Sequence, residues 1–441
     1  MKNQQNITLT RVDWTTVSIY IFLVLFGWMN IYSAAYDASH PFIFDFSKEY
    51  GRQFLFILIS FFLALVMLYM EGDFFNKLAL FIYGFFVLLL ALVLVVGKEV
   101  NGAKAWFGVG SFGIQPSEFS KIGVGLLLSK YISSTGAKFK NWKTRLVAAG
   151  IIGFPALLIL IQPDVGSVLT FVAFIFVMYR EGLSGNVLII GLGAIVFGVL
   201  SIVSGAGTID FPFFGEQNGI YLLVVIVTIL AILGIVFVRN FIVPRNRKLL
   251  YWIIAVSTVA SLLFSLSVSY IVENVLESHH RERIYVMLSM PVEREGADYN
   301  SQMAKITVGS GGFFGQGYLQ GPMTQNNYVP EQWTDFIFSA VAEEWGFFGS
   351  LVLIGTFVLL IIRIINMAER QRSQFSRVYG YCVASIFFMH LLINVGMVIG
   401  LAPIIGIPLP FFSYGGSSLM GFTLLLFIFL RLDAERLNIF R

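Results

Sequence analysis

Of 441 residues only one is cysteine, Cys382, and only 12% are charged. A lone cysteine excludes an intramolecular disulfide, and without a Cys/His cluster along the chain nothing points to zinc. So little charge against 57% hydrophobic residues excludes an ordinary soluble globular protein. No cleavable leader is expected either: the chain is polar up to Asp13, and the first apolar run is long enough to span. No feature suggests nucleic acid. The net charge of +4 decides little, because in a membrane protein the distribution of charge matters more than its sum.

What the sequence does have is repeated apolar runs of roughly 20 residues, the length a helix needs to cross the hydrocarbon core. Twelve candidate spans fall at about 14–35, 51–71, 74–97, 117–135, 145–162, 163–180, 187–204, 218–238, 249–273, 336–366, 379–400 and 413–433. The fifth and sixth are separated only by "QPDVG", where Pro163 disfavours helix in the residue before it. The expected fold is therefore an all-α polytopic membrane protein of about 12 transmembrane helices, a single integral domain over 1–441 with one large extracytoplasmic loop at 273–333.

Basic clusters follow span 4 (Lys138, Lys140, Lys143, Arg145), span 8 (Arg239, Arg245, Arg247, Lys248) and span 10 (Arg370, Arg372, Arg377), and recur at Arg436 and Arg441. If the spans alternate, all lie on one side, which the positive-inside rule makes cytoplasmic together with both termini. The opposing links "GAGTIDFPFFGEQ" and "APIIGIPLPFF" carry no such cluster.

That parity places the unusual polar segments outside: "NGAKAWFGVGSFGIQPSEFSK" (Asn101–Lys121), "QPDVGS" (Gln162–Ser167), the loop Glu273–Trp333 and "PLPFFSYGGSS" (Pro408–Ser418). Spans 4, 6, 10 and 12 open with them, so their amino ends point outward with unsatisfied N–H groups and the positive end of the helix dipole. Should those ends converge, they would suit an anion at the outer leaflet. Within the long loop, "RERIYVMLSM" (Arg281–Met290) reads as an interfacial helix. "GSGGFFGQG" (Gly309–Gly317) lacks the ending of a nucleotide loop and reads as a tight, flexible connection.

Several polar residues invite a chemical reading, each beside a plainer one. Lys121 stands near a helix amino terminus, against the dipole; it could neutralise a pyrophosphate, or pair with Glu118 while its stem snorkels to the interface. Thr334 and Asp335 suit helix capping, yet an acid at a membrane-facing helix start with Glu343 and Glu344 beneath it is more polar investment than a cap needs. The helix end should keep Asp335 ionised, as a general base requires, while weakening its basicity. Structural support is the expectation for Glu343, Glu344 and Asp164, the last as a cap of span 6. His390 and Asn394, four apart on one helix face, read as interhelical hydrogen bonders. Trp106 could be an interface aromatic, and Arg281 and Arg283 could meet either glutamates or phosphate.

The motifs "NGAKAWFGVGSFGIQPSEFSK", "QPDVGS", "GSGGFFGQG", "VPEQWTDFIFSAVAEEWG" and "GIPLPFFSYGGSSL" occur in the order and spacing of the SEDS proteins, the RodA/FtsW/SpoVE group, and the resemblance runs from span 1 to span 12. "PEQWTDFIFS" with "AEE" resembles the elongation branch, RodA, more than the division branch, FtsW. The resemblance implies a peptidoglycan glycosyltransferase in the bacterial cytoplasmic (inner) membrane. Such a protein polymerises lipid II at the outer face, beside a class B penicillin-binding protein that crosslinks the strands. It places the essential acid on Asp335, the motif lysine on Lys121 and the motif tryptophan on Trp106, with Glu118, Arg281, Arg283 and Ser413 as further substrate-binding candidates.

Three departures stand out. Trp333 occupies a position where the family often has His, so no imidazole is required there. Ala105 stands where many division-branch members have Arg. Twelve spans exceed the familiar ten, and the extra pair is expected as an insertion within 205–273. The implied reaction is an inverting displacement, since the donor linkage is α and the glycan linkage β. Asp335 would act as base toward the acceptor hydroxyl, and Lys121 with helix ends would stabilise the undecaprenyl-pyrophosphate leaving group. A divalent cation, Mg or Mn, could assist, although no residue set has ligand spacing for one. The alternatives are a flippase for the lipid-linked precursor, whose polar residues would line a pathway, and a scaffold that only activates its partner.

Overall fold

The computed structural model describes residues 11–437 except 38, 101–102, 110–111, 135–138, 140, 206–207, 212–214, 275–284, 286–294 and 403. Arg281, Arg283 and nearly all of the expected interfacial helix lie outside them. In chain order the elements begin with α1 (Trp14–Ala34), α2 (Glu49–Tyr69) and α3 (Gly72–Val96), then β1 (Lys98–Val100), β2 (Ala103–Val109) and β3 (Phe112–Ile114). Next come α4 (Pro116–Ser134), α5 (Trp142–Ile161), α6 (Val165–Thr170), α7 (Ala173–Arg180), α8 (Gly185–Gly205), β4 (Thr208–Phe211) and β5 (Gly215–Asn218). The chain continues through α9 (Ile220–Phe241), α10 (Pro244–Asn274), α11 (Glu295–Ser310), α12 (Pro322–Gln325), α13 (Ile337–Glu369), α14 (Gln374–Val398) and α15 (Gly416–Ala434).

Among the described residues, ten helices are long and apolar enough to cross a membrane: α1, α2, α3, α5, α8, α9, α10, α13, α14 and α15. The other two of the twelve expected segments are helical as well. One is α4, whose hydropathy is diluted by Glu118, Lys121 and Lys130; the other is broken into α6 and α7. The stretch 98–114, read only as a polar segment, instead forms an antiparallel sheet in the order β1-β2-β3, with Trp106 opposite Lys98 and Phe107 opposite Ile114. Its strands are three to seven residues long, too short for a clear period-2 pattern.

The chain packs as two units, residues Met1–Ser184 with Tyr299–Arg441, and residues Gly185–Asp298. The smaller unit holds α8, α9 and α10, one helix more than the pair expected at 205–273. Ser201 Oγ donates to Ser265 Oγ at 2.9 Å between α8 and α10. In the larger unit α14 and α15 form the centre, with 78% and 83% of their most apolar windows buried. Aromatic edges lock this core: Tyr20 meets Phe411 at 5.0 Å and Phe387 meets Phe411 at 5.2 Å, both T-shaped.

The sequence reads as one uninterrupted apolar helix over α13, but Gly346 adopts φ 67°, ψ −165° and breaks it. The 309–317 segment, expected as a tight, flexible connection, fills that break and is pinned by main-chain hydrogen bonds. Gln316 N–H donates to Glu343 O at 2.9 Å, Gly317 N–H to Glu344 O at 3.0 Å, and Phe347 N–H back to Gly312 O at 3.0 Å. The backbone groups that the broken helix turn would leave unpaired are thereby satisfied.

Candidate active site

Four loop-to-helix junctions of the larger unit meet at one end of the bundle. Before α4, Gln115 N–H donates to Ser417 Oγ at 3.0 Å, and Gln115 Nε2 donates to Asp164 Oδ2 at 2.9 Å. Ser167 Oγ reaches Ser117 Oγ at 3.2 Å, which ties α6 to α4. Tyr414 N–H donates to Trp333 O at 2.9 Å, joining the 405–415 loop to the turn before α13. The convergence that the polar segments suggested is present, and Asp335 lies within it.

Asp335 is not a helix cap. The cap residue of α13 is Phe336, without a side-chain hydrogen bond, and no described residue hydrogen-bonds the Asp335 carboxylate. Its main-chain carbonyl is held by Asn394 Nδ2 at 2.9 Å, and the same amide donates to Ile407 O at 2.7 Å. Asn394 thus pins the turn of Asp335 to the 405–408 loop. At Gly406, with φ +73°, a Cβ would stand 3.1 Å from Asp335 Oδ2, so a bare backbone borders the carboxylate.

The charge state of Asp335 departs from expectation. Burial, with the neighbouring charges of Glu331 and then Asp164, pushes its carboxyl up to about 7. Desolvation and two like charges outweigh the helix end, which was expected to keep it acidic. A carboxyl raised toward neutrality is a stronger base, as proton abstraction from a hydroxyl requires.

Lys121 is fully buried and does not snorkel. Its ammonium donates to both Glu118 oxygens, at 2.9 and 3.0 Å, and lies 3.0 Å from His390 Nε2. It also stands 5.2 Å from the centre of the Phe422 ring. His390 Nδ1 lies 3.0 Å from Pro408 O. Four groups therefore connect α4, α14 and the 405–415 loop, and in this arrangement neither Lys121 nor Glu118 is open to an anion. Ser413 is also turned inward: its Oγ accepts from Leu409 N–H at 2.8 Å and closes its own loop. Trp106 lies in β2 with its ring over Gly113.

The supporting acids have well-defined partners. Asp164 Oδ1 accepts from Ser167 N–H at 2.9 Å, capping α6. Glu343 accepts from the N–H groups of Met323 and Thr324, both at 2.8 Å, and from Thr324 Oγ1 at 2.6 Å. Glu344 accepts from Ser33 Oγ, and from Leu319 N–H at 3.1 Å. Of the residues that sequence reasoning undervalued, Asn394 touches the Asp335 turn directly and His390 meets Lys121. The signal was their i,i+4 spacing, which gives a shared face but not its partners. Among the described residues no three His, Cys, Asp or Glu side chains form a metal-ligand group.

A predominantly helical polytopic membrane protein, with a carboxylate that has no hydrogen-bond partner among the described residues where four loop-to-helix junctions meet, is the class that fold and site define. The chain belongs to the FtsW/RodA/SpoVE family, whose model, described as "Cell cycle protein", matches residues 13–211 and 224–438. The chain is 30% identical over 416 residues to peptidoglycan glycosyltransferase RodA of Treponema pallidum, covering 92% of this chain and 94% of that one. It is 28% identical to peptidoglycan glycosyltransferase MrdB of Escherichia coli K12, over 93% and 90% of the two chains. A solved chain from work on how a peptidoglycan synthase complex coordinates polymerization and crosslinking superposes with TM-score 0.66 at 27% identity, over 97% of this chain and 99% of that one. RodA of Thermus thermophilus shares the fold, with TM-score 0.57 at 24% identity over 97% of this chain and 98% of that one.

Proposed function

We propose that this chain is a peptidoglycan glycosyltransferase of the elongation type, which polymerises lipid II and serves cell shape. The observation that carries the mechanism is Asp335, a carboxylate with no hydrogen-bond partner among the described residues and with its pKa raised to about 7. Asp335 takes the proton from the acceptor sugar's 4-hydroxyl as that oxygen attacks the anomeric carbon of the donor. The C–O bond to the pyrophosphate breaks, its electron pair leaves with the undecaprenyl pyrophosphate, and the α linkage becomes β in one displacement. No covalent enzyme intermediate is needed. Lys121, Glu118 and His390 hold α4 against α14 and so keep the junctions in place. Asn394 fixes the backbone from which Asp335 projects.

The site faces outward and both termini are cytoplasmic; the placement of the basic clusters supports this orientation. A class B penicillin-binding protein acts as the crosslinking partner, a reading supported by the likeness to a chain of a peptidoglycan synthase complex. Purified protein with such a partner should convert lipid II to polymer, and Asp335→Asn should lower the rate by about 10²–10⁴-fold, the usual worth of a general base. Polymer formed by the Asn variant at the wild-type rate would overturn the reading.

A further inference from the structure

A cleft of about 390 Å³ opens beside the Asp335 turn, between the 35–49 loop and the 327–333 loop. Its volume falls within the roughly 300–1,000 Å³ of small-molecule sites. Tyr36 and Trp333 supply aromatic surface; Asp37, Glu49, Glu331 and Asn327 supply hydrogen-bonding groups. Trp333 and Glu331 belong to the segment that carries Asp335, and the charge of Glu331 acts on the Asp335 carboxyl. One wall of the cleft is therefore built from the segment that carries Asp335.

Both walls are held firmly. Gln332 is buried, and the two N–H groups of its Nε2 are shared among Ala34 O at 2.8 Å, Thr324 O at 2.7 Å and Asn327 Oδ1 at 3.0 Å. On the opposite wall Lys48 Nζ donates to Asp37 Oδ2 at 2.7 Å, and Ser39 donates to Asp37 Oδ1 from both its N–H and its hydroxyl. Lys48 and Ser39 together hold the Asp37 carboxyl well below the usual carboxylate range. Two lining residues, Asn327 at φ 53° and Glu331 at φ 50°, sit in left-handed backbone. Asn tolerates that region, but Glu does not adopt it readily, and such strain persists where the surrounding structure over-determines it, often at functional sites. Among the described residues, the Tyr36 hydroxyl, the Trp333 indole N–H and the Glu331 carboxylate have no hydrogen-bond partner.

We infer that this cleft is a saccharide subsite that holds pyranose units of the glycan next to Asp335. Aromatic faces cover the apolar C–H surface of a pyranose, while carboxylates and amides take up its hydroxyl and acetamido groups. A lipid tail would find too many charges here, and a pyrophosphate would meet three carboxylates against one lysine that is already paired. This inference rests on the proposed polymerase reading, because it names the part of the substrate that lies beside the base.

The test is binding of a lipid-free tetrasaccharide of alternating N-acetylated amino sugars to the full-length protein, followed by calorimetry without turnover. Tyr36→Ala should weaken binding by about fivefold to tenfold, on the order of one aromatic contact. Asn327→Ala should weaken it by about threefold, on the order of one hydrogen bond, and serves if the Tyr36 variant does not fold. No binding by the wild type, or wild-type affinity in both cleft variants, would overturn the subsite. Because this assay involves no polymerisation, its outcome is separate from the loss of polymer that tests Asp335 as base.

Discussion

Two aspartates at different helix ends of the larger unit have opposite surroundings. Asp433, fully buried near the end of α15, accepts from Arg370 at 2.6 and 3.1 Å, from Gln371 at 2.6 Å and from Arg436 at 3.1 Å. Asp335, just before α13, has no hydrogen bond to its carboxylate among the described residues, and its charged neighbours are acids. Leaving a buried carboxylate unpaired costs stability unless its proton affinity rises. The fold meets that cost at one end with arginines, and at the other leaves a carboxyl that can take a proton. A satisfied acid supports structure; an unsatisfied one beside converging junctions is placed for chemistry.

The same substitution at both aspartates should separate these roles. Asp335→Asn should reduce polymerisation by about 10²–10⁴-fold, with a melting temperature equal to or above wild type. The sign follows from linkage. A carboxyl raised in the folded state from 3.8 to about 7 contributes stability that is full below about pH 4 and lost as pH rises through 7. The amide escapes that loss. Asp433→Asn should do the reverse, lowering thermal stability by about 1–3 kcal/mol while the folded fraction keeps activity. That is less than a fully buried pair would lose, because Arg370 and Arg436 are 42% and 23% exposed.

Smaller effects should follow the contacts that orient Asp335. Asn394→Ala leaves the Asp335 and Ile407 carbonyls without their donor, a change worth about 1–3 kcal/mol. It should appear mainly as lower kcat, with the pH profile unchanged in shape. Gly406→Ala adds a Cβ at φ +73° beside the carboxylate and should cost about 1 kcal/mol in stability with a modest fall in rate. If Asn394→Ala instead raised KM alone, Asn394 would be contacting substrate and not orienting the base.

Much of this was legible in the sequence. All twelve apolar segments are helical, because a run of that length has few other ways to satisfy its backbone in lipid. The convergence was anticipated from motifs that open the helices, and Asp335 from its excess of polar company. What the sequence could not give were properties set by distant neighbours. The Asn394 amide finds its acceptors 59 and 13 residues away, and His390 meets Lys121 across 269 residues. The break at Gly346 is not visible in the sequence because one glycine is tolerated in a helix; only the 309–317 segment beside it makes the break stable. The direction of the Asp335 shift was misjudged because the helix end is a local feature, whereas the burial, and the charge of Asp164, come from the rest of the fold.

The most direct test of Asp335 as the base is the rate of polymerisation from lipid II between about pH 5 and 9, at saturating substrate and constant ionic strength. A base with its pKa near 7 must be deprotonated to act, so the rate should climb about tenfold per pH unit at the acid end and level off above 7. A rate already flat from pH 5 upward, or one that falls as pH rises through 7, would contradict the assignment.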